Sequence, residues 1–251
     1  MTTSTTATKL PRSIWWDPGE ADWWVAVCFA VGSACFIVGA TPAYIDVVGT
    51  VGDAWTYFIG SIWFTTAAWL QVLVSTGGIG TGKRTRRAAR WRTVAKAPRE
   101  AGWWAGIVQF GGTLCFNVST FLALSDIQST EEANRRVWAP DALGSIAFLV
   151  ASALAYAMVK KPWITWRPRD LDWSVATLNM VGSIAFGASA IAAKVLTDGD
   201  LRNAELANAG TWMGGVCFLA GAIFLIPEEA EAHAVDAVAS PSSNESNGTA
   251  A

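Results

Sequence analysis

The sequence is poor in histidine and in charge. Its one histidine, His233, stands in a polar tail, and charged residues make up only 15% of 251 positions. Soluble domains carry about 25%. No Ser/His/Asp set, metal-ligand cluster, phosphate-cradling glycine loop or haem ligand can be assembled, so the expectation is a protein that is no enzyme and has no cofactor. Cys28, Cys35, Cys115 and Cys217 all fall inside apolar runs, where they read as small packing residues and not as a disulfide or metal set. The net charge of −2 excludes little, because the charges are segregated.

What is abundant is apolar. Six runs, at 23–41, 55–75, 103–124, 142–159, 173–193 and 210–227, contain no Asp, Glu, Lys, Arg or His. Each matches the ~20 residues a helix needs to cross a bilayer, and lipid leaves such runs no other structure that satisfies the backbone. The missing ionisable groups argue against a proton-coupled pump or relay. Tryptophans mark the edges, at 15, 16, 23, 24, 55, 103, 104, 138, 163, 166, 173 and 212, as an aromatic belt at headgroup depth does.

The basic residues give an orientation. Fourteen of the 18 lie in 1–22, 76–102 and 160–172; the other connectors hold only Arg135, Arg136, Lys194 and Arg202. The positive-inside rule places both termini in the cytoplasm, in a cell (plasma) membrane, and makes 42–54, 125–141 and 194–209 outer loops. The first span follows a polar arm and reads as an uncleaved signal anchor. The arm at 1–22 and the acidic, Ser/Asn/Gly-rich tail at 228–251 have no apolar face and read as disordered over 1–13 and 228–251.

One pattern, Gly-small-x-x-Phe, occurs once per run. It begins at Gly32, Gly60, Gly112, Gly144, Gly182 and Gly214, and two copies are the identical string GSIAF. In lipid, helices associate by close backbone approach at small residues. Phe four positions on lies on the same face and can fill a neighbour's notch. Trp23, Trp103 and Trp173 each precede their Gly by nine positions, so the repeating unit is a two-helix hairpin. The notches are expected near mid-membrane in the first helix of each hairpin and in the outer third in the second. The expected fold is an all-α integral membrane protein of six transmembrane helices in three parallel-repeat hairpins, at 23–75, 103–159 and 173–227, joined by basic loops 76–102 and 160–172.

The stretches VGSACFIVGA with GDAWTYFIGSIWF, and NMVGSIAFGASA with NAGTWMGGVCFLAGAIFLIPE, resemble the YrhK-like domain. This is a bacterial two-helix membrane module with Gly-Ser-x-x-Phe in each helix. The resemblance is clearest over 23–75 and 173–226, and the middle hairpin is a divergent copy. Single-hairpin members commonly continue into an Arg-Pro segment, whereas here STGGIGTGKRTRR follows the first hairpin. The family brings no established activity, and hence no catalytic residue to carry over.

Few polar residues lie deep. Gln109 and Asn179 both stand three positions before the repeat Gly, where Phe29 is the third equivalent; Asn117 and Gln71 are the others. Their ordinary use is interhelical hydrogen bonding; the sharper reading is a polar axis of Gln109, Asn117 and Asn179 that touches a substrate. Asp141 reads as a helix N-cap. The basic stretch 83–99, with Arg84, Arg86, Arg87, Arg90 and Arg92, fixes topology and would attract anionic lipid headgroups; no fold for nucleic acid surrounds it. A homo-oligomer or a membrane-protein partner stays open. Two functions compete: a structural, lipid-interacting or accessory membrane protein, and a small-molecule transporter or channel with a polar path between three hairpins. A dry axis favours the first, a polar cavity the second.

Overall fold

The computed structural model describes residues 15–76, 101–158 and 170–239. The elements are α1 (Ala21–Gly39), α2 (Pro42–Ser75), α3 (Ala101–Leu122), α4 (Thr130–Ala133), a π-helical turn (Asn134–Trp138), α5 (Ala139–Met158), α6 (Leu171–Ala192) and α7 (Ala204–Ala239). The path from α4 to α5 is one unbroken helical span, and with it six helices are long and apolar enough to cross a membrane. Each of these packs on the next in chain order, and α7 closes onto α1, so three antiparallel hairpins form a ring. Exposed Val, Leu and Ile cover the outside. The chain is a multi-pass, all-α membrane protein.

The centre of the ring is aromatic. Phe36, Phe116 and Phe186, from the first helix of each hairpin, form a triangle with ring centroids 5.8–6.4 Å apart. Phe64, Phe148 and Phe218, from the second helices, form another at 5.5–6.1 Å. Within each hairpin the two triangles touch at 5.3, 5.1 and 5.5 Å. These are the six phenylalanines of the repeated motif, and none is more than 7% exposed. Edge-on and offset rings at these separations are favourable by about 0.5–1.5 kcal/mol per pair beyond burial.

The motif's glycines lie beneath those rings. A Cβ on Gly32 would stand 3.0 Å from the Phe64 ring, and one on Gly60 would stand 3.1 Å from Phe36. Gly112 and Gly144 exchange the same contacts with Phe148 and Phe116, and Gly182 and Gly214 with Phe218 and Phe186. Each Phe therefore fills its hairpin partner's notch, and the glycines themselves nearly meet, a Cβ on Gly32 standing 3.0 Å from the Gly60 carbonyl oxygen and one on Gly144 3.0 Å from that of Gly112. In four of the six copies the small residue after the glycine meets another hairpin. The Ser61 and Thr120 hydroxyls share a hydrogen bond at 3.0 Å, Ser183 and Ser152 share one at 2.7 Å, and Ser145 donates to the Phe186 carbonyl at 3.4 Å. Gly215 closes the ring, since a Cβ there would meet Ile37 at 2.8 Å.

The structure departs from the sequence expectation where apolar runs stop. Residues 42–54, expected as a loop, extend α2, with Pro42 in its first turn, where the fixed φ of proline suits a helix start. The helix kinks at Gly49, φ 73°, ψ 170°, a conformation that side chains exclude. Residues 130–141, also expected as loop, are helical. Ser129 caps them by accepting from the Glu132 N–H, and the Glu132 carboxylate accepts from Gln128 N. Asp141 is thus no N-cap, because the helix starts eleven residues earlier. Over 228–239 the expected disordered tail is helix, in keeping with its Ala- and Glu-rich composition. The Trp138 indole N–H donates to the Ala190 carbonyl at 2.7 Å.

Candidate functional site

The hairpin turns gather at one end of the ring, opposite the end where α1 begins. There the helices part above the first phenylalanine triangle and leave a half-open cavity of about 470 Å³, floored by Phe36, Phe116 and Phe186. Its walls come from the second helix of every hairpin, from the ends of α3 and α6 (Ser119, Thr120, Ser189) and from the turns. Tyr57, Asp141 and Thr211 each stand three positions before the motif glycine, and Asp53, Val137 and Ala207 each stand seven before it; all six line the cavity.

Local structure explains the polar lining. Pro140 cannot donate to the helical ladder, and the chain widens into the π turn just before it. Such turns are frequent at functional sites. At this turn the Val137 carbonyl accepts from the Ser119 hydroxyl at 2.8 Å. Asn134 holds the neighbouring turn by two hydrogen bonds to Val195, of 2.8 and 3.0 Å. The Ser189 hydroxyl is placed by the Ala207 carbonyl at 2.6 Å and by Thr211 at 2.7 Å. Asp53 projects from α2 one turn before Tyr57, and its Oδ1 is buried without a hydrogen-bond partner. The Tyr57 side chain lies in the field of both Asp53 and Asp141.

The sequence-expected polar axis has a different placement. None of Gln109, Asn117 and Asn179 lines this cavity, and no hydrogen bond among the described residues joins any two of them. The Asn117 Oδ1 is buried without a partner; Asn179 accepts from Ser152 through its backbone carbonyl at 3.3 Å. Phe29, the equivalent of Gln109 and Asn179, packs its ring on Phe64 at 5.7 Å. Alternate helices run in opposite directions, so "three before the glycine" points away from the cavity in α1, α3 and α6 and toward it in α2, α5 and α7. The signal was present in the sequence, in the other half of each repeat. Arg84, Arg86, Arg87, Arg90 and Arg92 lie outside the described residues.

Six apolar spans around an axis filled by the motif phenylalanines, with a cavity at one end, define a polytopic helical membrane protein. No family model, curated protein or solved structure matches this chain.

Proposed function

We propose that this is a non-enzymatic protein of the cell membrane, structural, lipid-interacting or accessory to an assembly, with both termini cytoplasmic and an axis closed to passage. Three tandem YrhK-like hairpins related by duplication would account for its repeated contacts. The observation that supports the reading is the double triangle of phenylalanines, which fills the ring's centre with apolar rings at the level of the motif. The 14-to-4 split of basic residues between the two faces supports the orientation.

The transport alternative has one observation in its favour, the cavity that ends on this plug. Purified full-length protein in dye-loaded liposomes separates the two. The expected outcome is a permeability to protons, alkali cations and small amines equal to that of protein-free vesicles. Uptake or leak above that baseline, lowered in Asn179→Ala or Asp141→Asn, would replace the structural reading by transport.

A further inference from the structure

We propose that the cavity at the turn end is a binding site for a small organic ammonium ion with an apolar body. A volume of about 470 Å³ falls within the ~300–1,000 Å³ usual for small-molecule sites. The floor is three phenylalanine rings, and most of the lining is apolar. Against this surface stand two carboxylates, Asp53 and Asp141, from different hairpins, and no Lys or Arg lines the cavity.

Carboxylates inside a membrane bundle are retained where something pairs them, because an uncompensated buried charge is costly. Among the described residues, no such partner lines the cavity. Arg136 is engaged by Glu132, and the Lys194 ammonium lies over the Trp138 ring, 5.2 Å from its centroid. A cationic occupant would supply the partner that these two carboxylates lack among the residues lining the cavity. Asp53 Oδ1, buried and unpaired, is an acceptor for its N–H groups. The floor rings and Tyr57 line the cavity with aromatic side chains of the kind that attract cations, and the Trp138 ring in the same wall already holds the Lys194 ammonium. A bare metal ion fits less well: among the described residues no group of three or more His, Cys, Asp or Glu could hold one, and the cavity is far larger than an ion.

The test is calorimetric titration of the purified full-length protein with 2-phenylethylammonium and with its neutral counterpart 2-phenylethanol. The ammonium should bind at least ten-fold more tightly. Asp53→Asn and Asp141→Asn should each bring its affinity down to that of the alcohol, while thermal unfolding confirms that the variants fold. Equal affinities for the two probes on the unmodified protein would overturn the proposal whether or not the variants fold. So would unchanged ammonium binding in both folded variants, or saturable Ca²⁺ binding that excludes the ammonium. Binding is read here without transport, so the result is independent of whether the axis ever opens.

Discussion

At the scale of single residues, the repeated motif divides its labour by position. The glycine admits the partner helix, the next residue meets another hairpin in four of the six copies, and the phenylalanine fills both the partner's notch and the axis. This yields a contrast between adjacent positions in α3. A Cβ on Gly112 would meet Ala147 and the Phe148 ring at 2.9 Å and the Gly144 carbonyl at 3.1 Å, whereas one on Gly111 meets nothing within 4 Å. Gly112→Ala should therefore lower stability by about 1–3 kcal/mol, as overpacking does. Gly111→Ala should be neutral or raise it by up to about 1 kcal/mol, as removing a mid-helix glycine does. Reversible unfolding in mixed SDS micelles measures both, and equal effects would remove the notch. Sequence reasoning reached this level because Gly and Phe recur at a fixed spacing. It missed Tyr57, Asp141 and Thr211 because they share a register but no chemistry.

At the scale of elements, the spans were legible and their ends were not. A run without charge reveals how far lipid reaches, and α2 outlasts its run by the stretch Pro42–Ala54, which carries Asp46, Asp53 and two glycines. Composition alone makes that stretch a loop. The structure makes it a helix bent at Gly49, with Ile45 and Thr50 reaching the cavity wall and the Tyr44 and Thr56 hydroxyls tying the two limbs at 2.8 Å. An added Cβ at Gly49 has nothing within 4 Å, so the cost of Gly49→Ala is purely conformational, about 1–3 kcal/mol for a non-glycine held in that region. Because the rest of α2 is fixed by packing, the loss should fall on the first limb. Amide hydrogen exchange over 43–48 should quicken several-fold, and exchange over 55–75 should not change. Unchanged exchange in both segments would mean that the bend does not depend on glycine.

At the scale of the whole molecule, the question is whether three similar hairpins amount to one folding unit. Lipid supplies no hydrophobic drive between helices, so cohesion across hairpins must come from packing and hydroxyl pairs. Those bonds are few, but the phenylalanine triangles contain only inter-hairpin contacts. The ring also closes between the first hairpin and the last, where Phe36 lies 5.8 Å from Phe186, nearly the 5.5 Å that separates Phe186 from Phe218 inside one hairpin. Pairs in direct contact couple in double-mutant cycles, and distant pairs add. Leucine replacements at Phe36 and Phe186, singly and together, should thus show a coupling of about 0.5–1.5 kcal/mol, as large as that for Phe186 with Phe218. Unfolding followed by tryptophan fluorescence and by circular dichroism should give one coincident transition in every variant. If the hairpins were merely adjacent, the Phe186–Phe218 coupling would survive, the Phe36–Phe186 coupling would vanish, and the two probes would separate. A coupled ring has a consequence for the cavity as well. Its floor is the first triangle and its walls draw on all three hairpins, so the site exists only when the three are closed on one another.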